Sequence, residues 1–282
     1  MAAETRSAGR APAAFLTPGS PSAHMPWWFP GDRPMPSEEA PHGTTVVAAT
    51  FPGGVVLACD RRATTGSTLS QQNPEHVFPA DEHSGLGIAG APGPAVDAGR
   101  LFQSELEHFE KVEGSPLSLE GKANRLAGLV RGHLGGALQG LAVVALFAGW
   151  DKERRKARLF TYDATGGRSE EAGFAALGPG SVHARGSLKK LHGEGVSEEQ
   201  AATAVVQALH DAADDSAAGG SDAGRQIPPV VAAITEDGYR RLEQAEVSRL
   251  VRRVHEGRLQ LPNGPQAPLS QAHPDRRTGR DG

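Results

Sequence analysis

Residues 44–64 read TTVVAATFPGGVVLACDRRAT. Two apolar, β-branched runs, Thr44 to Thr50 and Gly54 to Cys59, flank Phe51-Pro52-Gly53. Proline presets the φ of a turn and glycine accepts the angles that follow, so the stretch is expected to fold as a β-hairpin. It opens a folded domain.

Outward from the hairpin, Leu86 to Ala91 is a third short apolar run, closed by Pro92 and Pro94. Two helical patterns follow. The first covers about 95–112, with Ala98, Phe102, Leu106 and Phe109 on one face. The second covers about 118–141, with Leu119, Ala123, Leu126, Val130, Ala137 and Leu141 in phase. Strands return at 142–149, 157–163 and 172–177, with Gly166-Gly167 as a turn. Helices near 181–192 and 198–213 come next. The latter opens with the capping box Ser197-Glu-Glu-Gln200, in which each end satisfies a free backbone N–H of the other. Val230 to Thr235 reads as a strand, Asp237-Gly238 as a turn, and about 243–256 as a final amphipathic helix. Strand blocks alternating with helix pairs imply an α+β protein, with two stacked sheets and helices outside.

Of 21 prolines, eight precede residue 43 and four follow residue 261. Residues 1–43 and 259–282 are expected to be a disordered leader and tail around one domain at 44–258, because such segments bury too little apolar surface to offset ordering. No apolar run approaches the ~20 residues of a membrane span. The front is not a signal peptide: Ala11 to Leu16 is short, holds Pro12, and is soon followed by Pro18. Cys59 is the single cysteine, which excludes a disulfide framework and suits a reducing cytoplasm. The formal net charge of −4 comes without a basic stripe, so nucleic acid is not an expected partner.

Several site motifs fail on context. Gly85-Leu-Gly87-Ile-Ala-Gly90 matches the dinucleotide fingerprint letter for letter, but Asp81-Glu-His-Ser84 precedes it and two prolines follow. A glycine-rich strand that lets another backbone approach is the better reading. Eleven histidines form no His-Glu-x-x-His pair, and His108, His133, His192 and His210 read as helix-surface residues. No metal and no cofactor is expected.

Gly43-Thr44-Thr45-Val46-Val47, the hairpin, Asp60-Arg61-Arg62-Ala63-Thr64 and Gly87-Ile-Ala-Gly90 together resemble the β-subunit of the 20S proteasome, above all the actinobacterial form. The resemblance runs over nearly all of 44–257, including Glu105-Leu-Glu-His-Phe-Glu-Lys111, Asn124-Arg-Leu126, Thr161-Tyr-Asp-Ala164 and Leu188-Lys-Lys-Leu191. It implies a four-layer αββα sandwich, the N-terminal nucleophile hydrolase fold, and a threonine endopeptidase. By the same resemblance the chain cuts itself between Gly43 and Thr44. Thr44 then supplies both the nucleophilic hydroxyl and, as its new α-amine, a base of pKa ~7.7–8.0. Gly90 matches the oxyanion N–H donor, while Asp60 and Asp215 match the supporting carboxylates.

Three positions depart from the resembled pattern. The buried lysine expected sixteen residues after Asp60 is His76, a glycine/serine turn reads Gly178-Pro179-Gly180-Ser181, and a hydroxyl partner of Asp215 is Ala218. Two functional expectations therefore stand side by side: a working endopeptidase, or a catalytically impaired β-subunit that completes a ring. A subunit of the simpler bacterial two-ring threonine peptidase is a third, against which Arg61-Arg62 and the leader count. Implied partners are α- and β-subunits in stacked seven-membered rings, a ring ATPase acting through the α-ring, and unfolded or tagged protein substrates. The Phe102/Leu106/Phe109 and Leu126/Val130 faces pack either on the subunit's own sheet or on neighbours. Ala63, Pro74 and Ile88 are the expected walls of the substrate site.

Overall fold

The hairpin forms as read. In a computed structural model, which describes residues 44–61, 63–65, 68–70, 76–90, 92–138, 142–215 and 228–261, β1 (Val46–Phe51) and β2 (Gly54–Cys59) pair from Val46↔Cys59 to Phe51↔Gly54. A short ribbon of β3 (Ala63–Thr65) and β4 (Thr68–Ser70) follows. Then come β5 (Val77–Asp81), β6 (Ser84–Gly90), α1 (Pro92–Glu113), α2 (Leu119–Gly132) and α3 (Leu134–Leu138). The chain returns through β7 (Val143–Asp151), β8 (Lys156–Tyr162), β9 (Arg168–Glu170) and β10 (Phe174–Leu177). It closes with α4 (Ser181–Leu191), α5 (Glu198–Asp215), β11 (Val230–Thr235), β12 (Gly238–Arg241) and α6 (Gln244–Gln260).

Two antiparallel five-stranded sheets result, in the orders β10-β1-β2-β11-β12 and β5-β6-β7-β8-β9. Side chains alternate along a strand, and here both faces are apolar. Val46, Ala48, Val55 and Leu57 point into the seam between the sheets, against Val77, Leu146, Ala148 and Leu159. Val47, Ala49, Val56 and Ala58 point the other way, onto Leu188, Val205, Leu209 and Leu250 of the outer helices. On the far side Leu86, Ile88, Phe147 and Phe160 meet Phe102, Leu106, Leu126 and Val130 of α1 and α2. Helix, sheet, sheet, helix is the four-layer order expected from the sequence. Phe102, Leu106, Leu126 and Val130 are consumed by the subunit's own core, while Phe109 on the same face is only partly buried.

The glycine-rich run is strand β6, and its glycines set the spacing of the seam. A side-chain carbon on Gly87 would overlap Val46 and sit 3.3 Å from Leu57. One on Gly85 would lie 2.9 Å from Ile234 and 3.1 Å from Tyr239. Both halves of the capping box are present, with Ser197 N–H donating to Gln200 Oε1 at 2.8 Å and Gln200 N–H to Ser197 Oγ at 3.2 Å.

Some boundaries differ from the sequence reading. A helix does open directly after β6: Pro92 and Pro94 lie in its first turn, where a missing N–H costs nothing, so they start α1 instead of interrupting it. The single helix expected over 118–141 ends at Gly132, and a short α3 without buried residues begins at Leu134. Strand β5 was missed because Pro79 breaks its pattern. As an edge strand with a register shift beside Pro79, it tolerates a residue that donates no ladder bond. Strand β12, GYRR, is a polar edge. His192 is not a surface residue, since its Nε2 bonds the Thr50 carbonyl at 3.0 Å and its ring packs on Phe174.

Substituting Gly87 by Ala is expected to destabilise the fold by about 1–3 kcal/mol through overpacking of the seam. Gly128→Ala, in open space on α2, is expected to leave stability unchanged or raise it. Thermal unfolding of the two variants beside the parent chain checks the contrast.

Candidate active site

Thr44 and Thr45 lie immediately before β1, 2% and 4% exposed. The β1–β2 ladder runs one residue past Val46↔Cys59. Asp60 N–H donates to the Thr45 carbonyl at 3.2 Å, and Thr45 N–H donates to Asp60 Oδ1, also at 3.2 Å. From the other side, Gly180 N–H donates to Thr45 Oγ1 at 3.1 Å. Thr45 is therefore fixed at its carbonyl, its N–H and its hydroxyl, which leaves Thr44 little freedom of position.

The turn between β10 and α4 makes this approach possible. Gly178 has φ of +96°, and a side chain on it would overlap the Thr44 carbonyl and come within 3.0 Å of Thr45 Cα. At Gly180 a side chain would lie 2.8 Å from both Thr45 Oγ1 and Ala212 Cβ. Both positions need glycine for space, and Gly178 also for its angle. Pro179 between them points to solvent. The turn thus contacts the Thr45 hydroxyl and closely approaches the Thr44 carbonyl, a role that the Gly-x-Gly spacing could have signalled.

Gly90 ends β6 with φ of +131°, and a side chain there would overlap the Ala142 carbonyl. Gly85 faces Ile234 and Tyr239 while Gly87 faces Val46, so β6 runs toward the end of the first sheet at which β1 begins. His76 belongs to the same end. Ile88 N–H donates to its carbonyl at 2.9 Å, and its Nδ1 lies 2.9 Å from the Ile88 carbonyl oxygen. The first sheet brings Thr44 and Asp60 to this end, and the second brings His76 and Gly90.

His76 is 1% exposed. Burial pushes its pKa below the ordinary 6.5, and the bond to the Ile88 carbonyl offsets this only in part. A carbonyl oxygen accepts and cannot donate, so Nδ1 carries the proton in the neutral ring and Nε2 is left as an acceptor. Nε2 is buried and has no hydrogen-bond partner among the described residues. A neutral acceptor thus stands where the resemblance calls for a cation.

Other expected positions are less informative. Asp215 is the last residue of α5, and its side chain, like Gly43, Pro74, Ala218 and the side chain of Ala63, lies outside the described residues. Ile88 packs into the cluster under α1. Among the described residues no three His, Cys, Asp or Glu side chains converge to hold a metal ion, and no helix is long and apolar enough to cross a membrane.

The Proteasome family, described as proteasome subunit, matches residues 40–224, a span that begins just before Thr44 and includes Asp60, His76, Gly90, Gly178, Gly180 and Asp215. The chain belongs to the proteasome subunit family. A proteasome subunit beta of Streptomyces griseus subsp. griseus is 58% identical over 280 residues, covering 95% of this chain and 100% of the relative. A proteasome subunit beta of Parafrankia sp. is 50% identical over 270 residues, covering 92% and 98%. One of Frankia casuarinae is 50% identical over 261 residues, covering 89% and 95%. Within the proteasome family the chain is of the β type, and its two sheets and flanking helices are the N-terminal nucleophile hydrolase sandwich.

Two outcomes follow from the site's bonding. Thr45→Val removes the acceptor of the buried Gly180 N–H and is expected to cost about 1–3 kcal/mol in denaturant unfolding. The folded pKa of His76 lies below its unfolded one, so its contribution to stability is complete above pH 6.5 and is lost as pH falls through the lower, folded value. Stability measured from pH 7.5 to 5 is expected to fall less steeply in His76→Gln than in the parent.

Proposed function

We propose that this chain is a β-subunit of a 20S-type proteasome core whose Thr44, once cleavage after Gly43 makes it N-terminal, is the nucleophile of a threonine endopeptidase. The observation that carries this reading is the three-way fixation of Thr45, which holds the preceding residue at the end of the sandwich where β6 also ends in Gly90. The Thr44 hydroxyl attacks a peptide carbonyl and its proton passes to a base, the role that family resemblance gives to the new α-amine. The Gly90 N–H faces the oxygen on which charge develops. Donors of that kind typically contribute about 3–4 kcal/mol. Asp60 holds the Thr45 backbone in place, and Asp215 supports the nucleophile from the end of α5.

Assembly follows from the same reading. The β-subunits form seven-membered rings stacked within α-rings, and unfolded or tagged proteins enter the cytoplasmic chamber from a ring ATPase. Heterologous contacts of this kind close only as rings. The residues before Thr44 are then a propeptide, which keeps the amine blocked until the particle is built.

One observation favours a second reading. The neutral His76 removes the charge that would keep the amine unprotonated and acidify the hydroxyl, which suits a ring-completing subunit without activity.

Intact mass of the chain purified with its α-partner separates the two. The expected result is a mature chain beginning at Thr44 in the parent and full length in Thr44→Ala. A parent chain that keeps Met1 to Gly43 would contradict the working-peptidase reading.

A further inference from the structure

We propose that Nε2 of His76 is the base that takes the proton from the Thr44 hydroxyl, so that this subunit runs on a threonine–histidine pair in place of a lysine-assisted amine. The inference rests on the reading of Thr44 as nucleophile and changes its base. Three observations carry it. The Ile88 carbonyl fixes the Nδ1–H tautomer and so leaves the Nε2 lone pair to accept. That lone pair is buried and unpartnered among the described residues, a costly state for a polar atom with no use. And the strand registers put His76 with Gly90 at the end of the sandwich where Thr44 leads into β1.

Cleavage after Gly43 frees Thr44 to turn its hydroxyl onto Nε2. The hydroxyl proton moves to Nε2 while Oγ1 forms a bond to the carbonyl carbon of the substrate, and the π electrons of that carbonyl pass to its oxygen, opposite the Gly90 N–H. The imidazolium then returns the proton from Nε2 to the departing amide nitrogen as the C–N bond breaks. This leaves an ester on Thr44. Water hydrolyses the ester with the same nitrogen as base, restoring the hydroxyl and releasing a carboxylic acid. Throughout, the Nδ1–H stays on the Ile88 carbonyl, which steadies the cation while it lasts. Among the described residues the charged groups that follow β2 at this end are Asp60 and Arg61, to which cleavage would add the α-amine of Thr44. Burial lowers the pKa of His76, and the bond to the Ile88 carbonyl opposes this in part.

The pH dependence of peptide hydrolysis by the assembled particle tests the proposal, with the parent chain, His76→Gln and His76→Lys compared. Glutamine retains a donor for Ile88 and has no titrating base. The expected results are an acid limb in kcat/KM below pH 6.5 for the parent, a loss of roughly 100- to 10,000-fold in His76→Gln, and a limb moved up toward the ~7.7–8.0 of an α-amine in His76→Lys. Size and intact mass of each particle report assembly and processing. An unchanged rate in His76→Gln, or a parent limb at ~7.7–8.0, overturns the histidine base while leaving Thr44 as nucleophile. An inactive parent beside an active His76→Lys also overturns it, and shows the threonine site to be sound. If both are inactive in assembled particles, the reading of Thr44 falls as well.

Discussion

The backbone and hydroxyl of Thr45 are held by three hydrogen bonds, two with Asp60 just past the neighbouring strand and one from the Gly180 N–H of the turn that enters α4. These bonds join three separate parts of the chain at the residue next to Thr44. They exist only because the sheets and the turn come unusually close, which in turn requires glycine at 87, 178 and 180. A side chain at any of the three would meet the β1 strand or the residues just before it. The site is therefore a consequence of backbone packing more than of any one reactive group.

Most of the architecture could be read from the sequence because its strong signals are local. The Pro52-Gly53 turn, the capping box at Ser197 and the apolar phase of Phe102, Leu106, Leu126 and Val130 each depend on residues within a few positions. What escaped depended on tertiary context. Pro92 and Pro94 look like breakers until their place in a first turn is known, and Pro79 looks incompatible with a strand until that strand is an edge. Nothing near Arg158 in the expected strand 157–163 marks its partners, yet it is 4% exposed and bonded to Asp151, Glu170 and Glu120.

At the site, Thr44, Asp60, Gly90 and His76 were all legible from the resemblance, but only the structure assigns a tautomer to His76. A lysine would bring a fixed positive charge to the end of the sandwich. A buried imidazole whose Nδ1–H is committed to Ile88 brings a proton acceptor instead, since burial disfavours its cation. On the proposed reading of Thr44 and His76, the consequence is a change in what activates the nucleophile, not merely a weaker version of the same effect. The proline between Gly178 and Gly180 matters less than the sequence implied, because the turn works through backbone N–H and backbone angle.

All of this converges on one atom, the hydroxyl oxygen of Thr44. The most direct measurement is to treat the assembled particle with a peptide β-lactone, which acylates an activated hydroxyl, and to locate the added mass by fragmentation. The account predicts a single acyl group on Thr44 as the N-terminal residue of the mature chain. Acylation at another residue, or none in a particle whose chains begin at Thr44, would contradict it.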